Sequence, residues 1–578
     1  MTEDIPVRPI TNSFLIPFVI GVTGHRDLRE EDIPILERRV RSVLDDFRRR
    51  LPSTPMLLLS ALAGGADQLV ARIAVQCEFK LVAVLPMPIA IYRSQMEANA
   101  QRTFDELLTE SSLVLDLPLN GMTEAELRES EETRAEAYDA LGRFLVGHSQ
   151  ALVALWDGTP SAKKGGTARV VDFMLNGTAL ADWSEGEPRT GMVYQILTPR
   201  ASNPAPEGKI FGLRLLTSLD PTSDKASEEF TVLEQRLEAF NKEATKVDLA
   251  AAPHCGNLVP EEFSDLLLAS AKRVSNIYFA ADKRSLDFNN LTAIVLLALL
   301  IFAFVAIGSF EIYAHVLPQK VTLWLVYPIA LLGAWLTYRY ARKNEIETKY
   351  FDYRALAEAL RVQFFWSLAG IKEAVADHYL RDHRTELDWI RYALCSISVY
   401  ENTEEVPKGD SIPMMELILK HWVEHQANWY SAKSKQQQNI LRRLDNISGR
   451  SLFVVWLVSM LVPLSLLIPY PGLANWRQWA LEEPYHGLLI LLVPLPSLAI
   501  GLFRVWVEQA GYDVQARKYH RMAKVFRRAA DRLKELLKQK RIEDVREILR
   551  RLGMDALEEN GDWLLLHREH PLRVVGAA

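Results

Sequence analysis

Hydrophobic positions follow two rhythms along this chain. Up to about residue 200, short continuous apolar runs (FVIGVTG, MLLLSALAG, LVAVLP, LVLDLP, ALVALWDG and VYQILTP) alternate with amphipathic stretches of helical period. Continuous apolar strands joined by amphipathic helices predict an α/β domain built on a parallel sheet covered on both faces. In the second half, four runs free of charged side chains arrive as two pairs: Phe288 to Phe310, Val321 to Tyr338, Ser451 to Asn475 and His486 to Phe503. Each reaches or approaches the ~20 apolar residues that a helix needs to cross about 30 Å of hydrocarbon, so an all-α membrane region of four spans is expected.

Charge and aromatic residues give these spans an orientation. Lysine and arginine crowd one end of each pair (Lys272, Arg273, Lys283, Arg284; Arg339, Arg342, Lys343; Arg442, Arg443, Arg450; Arg504, Arg517, Lys518), whereas the short connectors hold only Lys320 and Arg477. That asymmetry places the connectors outside and both termini in the cytoplasm, as expected of a multi-pass protein of the inner membrane. Tyr313, Trp324 and Tyr327 flank the first connector and Tyr470, Trp476, Trp479 and Tyr485 the second, where interfacial rings belong. The net charge of −6 is too mild to call for nucleic acid as a partner. Cys77, Cys255 and Cys395 are scattered without metal-ligand spacing, which fits a reducing compartment and neither a disulfide framework nor a metal site. No charged start followed by an apolar core and a cleavage site opens the sequence, so insertion is expected to rely on the internal spans.

The membrane half contains a duplication. NIYFAADK, with Asn276, Tyr278, Ala280 and Lys283, precedes the first span, and NWYSAKSK, with Asn428, Tyr430, Ala432 and Lys435, precedes the third, 152 residues on (276 to 428). YRALAEALR after the second span and YHRMAKVFR after the fourth align Tyr353, Ala357 and Arg361 with Tyr519, Ala523 and Arg527 at an offset of 166 (353 to 519). Each unit therefore reads helix, span, connector, span, helix. Few strongly polar side chains lie within the spans, with Asn289 and Asn290 at one end and Ser459, Ser465 and Ser497 further in, which argues against a proton relay or an ion-coupled transporter. Pro328, Pro463, Pro494 and Pro496 are candidate kinks.

Candidate chemistry gathers at the strand ends of the amino-terminal half, where ligands collect in parallel sheets. Gly21-Val-Thr23-Gly24-His25-Arg26 follows the first strand, and a helix is expected to start there, offering backbone amides and two side-chain donors to an anion. Its spacing lacks the full dinucleotide fingerprint, so ordinary NAD binding is not indicated. Gly64, Gly65 and Asp67 mark a second junction, with Asp67 expected to cap a helix or to accept from a ribose hydroxyl. Asp157 ends the fifth run, and Gly165, Gly166 and Thr167 open another helix as a phosphate cradle. Tyr92 and Arg200, at further strand ends, complete the candidate set.

The motifs GVTGHR, LAGGADQLVA, LVAVLP with Tyr92 beyond it, LWDG, GGTARVVDF and ILTPR resemble a SLOG domain, a Rossmann-like superfamily of nucleotide sensors and nucleotide phosphoribohydrolases. YFDYRALAEALRVQ and LGMDALEENGDWLLLHREHP are similar to SLATT domains, transmembrane effectors associated with SLOG sensors in bacterial conflict systems. This resemblance implies a SLOG-like domain at 1–200, a linker with a coupling helix at 201–265, SLATT-like two-span units at 266–400 and 416–578, and a linker at 401–415. It implies a nucleotide-derived ligand and no resident cofactor, a homo-oligomer in the lipid bilayer, and pore formation or membrane disruption in antiviral defence.

One departure bears on chemistry. Where the hydrolase branch resembles P-G-G-x-G-T-x-x-E, with a catalytic glutamate, Thr167 is followed by Ala168, Arg169 and Val170. Asp172 is out of register on a helix, and Glu131, Glu132 and Glu136 belong to a charged helix expected to form a solvated face. Binding without turnover is the expected activity. The alternatives are a membrane-anchored nucleotide phosphoribohydrolase and a structural scaffold. In the linker, Phe230, Leu233, Leu237 and Phe240 recur at helical spacing and should pack, while Glu401 to Pro413 reads as a loop with Pro407, Gly409 and Pro413 as helix breakers.

Overall fold

The computed structural model describes residues 14–161, 164–177, 191–217, 225–248, 258–378, 387–400, 412–467, 472, 474–482, 485–509 and 512–569. The chain forms two compact units: residues 1–282, 355–410 and 553–561 make one, and 283–354, 411–552 and 562–578 the other. Cys255 and most of the 401–413 stretch lie outside the described residues, but Pro413 falls in the first turn of a helix, where its missing N–H has no partner to lose.

The first unit is a doubly wound sheet. Its strands are β1 (Phe18–Gly24), β2 (Met56–Ser60), β3 (Lys80–Leu85), β4 (Leu113–Asp116), β5 (Ala151–Trp156), β6 (Met192–Leu197) and β7 (Leu213–Thr217). They lie in the order β4-β3-β2-β1-β5-β6-β7, all parallel except β7, which pairs antiparallel to β6. Between them run α1 (Ile33–Arg50), α2 (Ala66–Gln76), α3 (Ile89–Ser94), α4 (Ala98–Glu110), α5 (Glu124–Glu129), α6 (Glu131–His148) and α7 (Thr167–Asn176). Six strands match the apolar runs. β7 does not stand out in the sequence, because all of its side chains are exposed or half-exposed, as an edge strand allows.

Side chains alternate between two covered faces. Val19, Leu57, Leu59, Val82, Val84 and Leu115 meet Leu141 and Leu145 of α6, while Leu152, Ala154 and Val193 meet Val170, Phe173 and Met174 of α7. On the other face Phe18 packs on Phe47 of α1, with ring centroids 5.4 Å apart, and Phe47 packs on Tyr194 at 4.7 Å. Gly21 is a packing glycine: a Cβ there would stand 2.7 Å from Ser149 Oγ.

Three further helices close the N-terminal ends of the strands. α8 (Lys225–Ala244) buries Phe230, Leu233, Leu237 and Phe240, the stripe read from the sequence. Its Asn241 accepts the Ile16 N–H (2.9 Å) and donates to Ile16 O and Thr54 Oγ1 (2.9 Å each), clamping the entry to β1. Glu238 accepts from Ser53 N–H and Thr54 Oγ1. α9 begins at Ala269 and continues to His315. After α10 (Val321–Lys343), α11 (Ile346–Ala369) and α12 (Val375–His378), α13 (Asp388–Ser398) reaches the sheet, and Ser396 Oγ accepts from Gln150 Nε2 at 2.7 Å.

The second unit is all helical: the later part of α9, then α10, α14 (Ile412–Ile418), α15 (His425–Leu467), α16 (Ala474–Leu481), α17 (Tyr485–Leu491), α18 (Pro494–Gln509), α19 (Tyr512–Lys538) and most of α20 (Ile542–Glu569). Four helices are long and apolar enough to span a membrane, and only 17, 6, 0 and 6% of their apolar windows is buried. They are therefore not the core of a soluble domain. Ile294, Leu297, Ile301, Trp324, Ile329, Trp335, Phe453, Trp456, Met460 and Leu464 stand exposed, far beyond the scattered apolar residues of a soluble surface. Pro328 and Pro463 lie inside helices, whereas the fourth span is interrupted between Leu491 and Pro494. Ser465, in the third apolar helix, is occupied, accepting Trp476 Nε1 at 3.0 Å and donating to Val462 O.

The duplication has a structural counterpart. In the first repeat α9 and α11 pair through Tyr278 Oη, which accepts from Arg361 Nη2 at 2.7 Å. In the second, α15 and α19 pair through the rings of Tyr430 and Tyr519, 5.7 Å apart, and through Ser434 Oγ donating to Ala516 O. Arg361 is largely covered, its side chain 12% exposed, but Arg527 is exposed, so the matched arginines do not share a role.

Asn241→Ala leaves the Ile16 N–H and C=O without partners, a cost of about 1–3 kcal/mol. The expected result is a thermal midpoint lowered by roughly 2–8 °C in detergent, read by near-UV circular dichroism.

Candidate functional site

Where the chain order reverses in a doubly wound sheet, the carboxyl ends of two neighbouring strands leave a crevice. Here the reversal lies between β1, which leads outward to β2, and β5, which leads outward the other way. The loops after β1, β2 and β5 carry the three glycine clusters, and glycines hold them together. Gly24 lies so near α2 that a Cβ would stand 2.3 Å from that of Ala66. Gly65, at φ +83°, leaves room for the carbonyls of His25 and Arg26, 2.7 and 2.5 Å from its absent Cβ. Gly165, at φ +70°, abuts Tyr138 of α6, and Gly166 caps α7. At Gly64 the nearest atom is the Ala100 Cβ, at 3.3 Å.

The first junction differs from the sequence expectation. No helix starts directly after Arg26: the first helical turn is the 3-10 turn Glu30–Asp32, which leads into α1 at Ile33. The α2 start is also engaged, because the Ala66 N–H donates to His25 O at 3.0 Å and Asp67 accepts from the Ala63 N–H rather than capping the helix. The start of α7 is the junction that keeps the arrangement of an anion cradle: Gly165 and Gly166 form its turn, Thr167 its first helical residue, and Lys164 stands beside it.

The candidate residues fall into two groups. Asp157 is buried and tied by protein groups: Thr159 N–H donates to Oδ1 (3.0 Å), and Arg200 Nε and Asn203 Nδ2 donate to Oδ2 (3.0 Å each). His25 Nε2 accepts the Asp157 N–H at 3.1 Å and lies 3.1 Å from Oδ1. Burial pulls the His25 ring below its ordinary value despite that carboxylate, which fits the neutral, accepting form. For Asp157, burial opposes ionisation, but the Thr159 and Asn203 bonds and His25 outweigh it and hold the carboxyl at about 2. This group, His25, Asp157 and Arg200, locks the β1, β5 and β6 loops together. Thr23, buried at the end of β1, is adjacent.

The second group is less satisfied. The Arg26 guanidinium lies 5.2 Å above the Tyr138 ring and close to Tyr92 and Asp67. Asp67 is buried, and the loss of hydration lifts its carboxyl to about 7 despite Arg26 and the Ala63 N–H. Tyr92 is 1% exposed, its ring 6.2 Å from that of Tyr138, and its hydroxyl has no hydrogen-bond partner among the described residues. Tyr138 Oη donates to Gln95 Oε1 at 2.9 Å. A stacking arginine, a phenol lacking an acceptor and a carboxyl that changes charge near neutrality are suited to a planar, hydroxylated, anionic ligand.

Tyr138 and Gln95 escaped the sequence reading. Tyr138 sits on α6 and Gln95 at the C-terminal cap of α3 rather than in glycine loops, and only the 2.3 Å approach of the Gly165 Cβ position to Tyr138 reveals the connection. Val170, the third residue after Thr167, packs in the core cluster beneath α7, and Asp172 points away toward Arg169 and Asn176. Glu131 and Glu132 are exposed, and Glu136 pairs with Lys164 at 3.6 Å. Among the described residues no group of three or more histidine, cysteine or carboxylate side chains is placed to hold a metal. Comparison of the chain with protein-family models and with curated protein sequences finds no match to either.

The raised Asp67 value sets a pH dependence. The folded state holds this proton more tightly than the unfolded chain, so its contribution to stability is complete below about pH 4 and is lost as pH rises through about 7. Asp67→Asn is expected to flatten the fall in thermal midpoint between pH 4 and 7 and to leave the variant more stable than the parent at pH 8.

Proposed function

We propose that this chain is a nucleotide-gated membrane effector: the glycine-loop rim binds a phosphorylated nucleotide signal, and occupancy changes the packing of the attached spans. The observation that carries the reading is the pairing, in one polypeptide, of a switch-point rim holding Arg26, Tyr92 and the α7 start with four apolar helices left uncovered by protein. The SLOG and SLATT resemblance of the motifs supports it. In this reading the chain is a homo-oligomer of the inner membrane with cytoplasmic termini, and the spans breach the bilayer in antiviral defence.

The phosphate sits at the amides of Gly166, Thr167 and Ala168, Arg26 and Tyr138 stack on the base, and Tyr92 donates to a sugar hydroxyl. Moving a closed population from 99:1 to 1:99 needs ~5.5 kcal/mol of differential binding, within reach of a few charge-assisted phosphate contacts that form only in the open state.

A second reading, a membrane-anchored nucleotide phosphoribohydrolase, is favoured by one feature, the Asp67 carboxyl near pKa 7, suited to proton transfer at neutral pH. Dye release from liposomes containing the full-length protein, with each of a panel of phosphorylated nucleotides, separates the two. Gating predicts nucleotide-dependent release with the nucleotide intact, and a tenfold to hundredfold weaker response in Arg26→Ala. Free base without release supports the hydrolase, and neither result sinks both.

A further inference from the structure

α19 carries a charge pattern that the net charge of −6 conceals. From Val514 to Ala530 there is no acidic residue, while Arg517, Lys518, His520, Arg521, Lys524, Arg527 and Arg528 are basic. Arg521, Lys524 and Arg528 form one ridge at i, i+3 and i+7, with Arg527 beside it, and all four are exposed. None makes an ion pair with a described residue, although arginines further along α19 and on α20 pair at i,i+3 or i,i+4, as Arg532 does with Glu535 and Arg550 with Glu547.

The duplication sets this face apart. At the 166-residue offset, Arg517, Arg521, Lys524 and Arg528 correspond to Phe351, Ala355, Glu358 and Val362 of α11. Phe351, Ala355 and Val362 are 6, 0 and 3% exposed. A face that the first repeat buries is, in the second repeat, uncovered and basic.

We infer that the α19 ridge is a docking surface for the phosphate backbone of a nucleic acid. Lipid headgroups lie too far away. Asp445, paired with Arg504 at 3.5 Å, marks where α15 and α18 leave their apolar segments, and Ser434, bonded to Ala516, lies ~16 Å further along α15. The ridge begins beyond that level, outside the ~8 Å over which surface charge acts at physiological salt. An acidic protein surface fits less well, because the exposed face offers no aromatic or aliphatic anchor between its charges, and protein interfaces draw most of their energy from such anchors. A phosphate backbone needs only the charges.

The test is fluorescence anisotropy of a labelled 20-nucleotide RNA, and of a DNA of the same sequence, with the full-length protein in nanodiscs of zwitterionic lipid. With four phosphates engaged, the logarithm of affinity should fall with the logarithm of salt at a slope of roughly −3. In the quadruple variant Arg521→Gln, Lys524→Gln, Arg527→Gln, Arg528→Gln the slope should approach zero, while Arg442→Gln with Arg443→Gln leaves it unchanged. Absence of binding at low salt, equal binding by the quadruple variant, tighter binding of polyglutamate than of RNA, or binding only in anionic nanodiscs would each overturn the assignment. None of these readouts depends on nucleotide gating.

Discussion

Hydrocarbon offers no partner for a peptide group, and that constraint governs the second unit of this protein. A chain crossing it must satisfy its own backbone bonds, so the apolar stretches are helical even where proline intervenes. The same constraint explains exposures that would be untenable in water, such as Phe453 at 60% and Ile329 at 66%. Around the connectors, Trp476, Trp479 and Tyr485 stack at 5.3 and 4.4 Å, the amphipathic rings expected where hydrocarbon meets headgroups.

The sheet unit obeys a different economy, in which close approach replaces solvent. Gly24, Gly65 and Gly165 draw three loops and α6 to one rim, at distances that any Cβ would forbid. At that rim one carboxylate is fully used and another is not. Asp157, tied by three donors, is rigid scaffolding. Asp67, whose carboxyl burial lifts to about 7, and Tyr92, whose hydroxyl has no partner among the described residues, retain unmet polar capacity in a buried setting, which is a costly state.

Much of this was legible in the sequence. Six strands and the four apolar helices follow from period and composition, because strands buried on both faces of a sheet and helices long and apolar enough to span a membrane leave unambiguous patterns. β7 was hidden, since Leu213 and Leu215 are exposed and an edge strand has no obligatory pattern. The apolar stripe of α8 announced a packed helix, but its seat at the N-terminal strand ends depends on Asn241 meeting Ile16, 225 residues away. Within the rim, glycine spacing found the loops but overestimated their helix starts, because the eight residues from His25 to Asp32 separate β1 from α1. Tyr138 and Gln95 were illegible because proximity in the fold, not spacing, brings them to Arg26.

The central claim is that occupancy of the rim and the state of the lipid-facing helices are one equilibrium. Hydrogen exchange of the full-length protein in nanodiscs, with and without the nucleotide that produces the strongest thermal shift, tests it most directly. The account predicts slower exchange at the β1–α1 loop and the α7 start, together with changed exchange in the stem of α9 and in α15. Protection confined to the rim, with α9 and α15 unaltered, would contradict it.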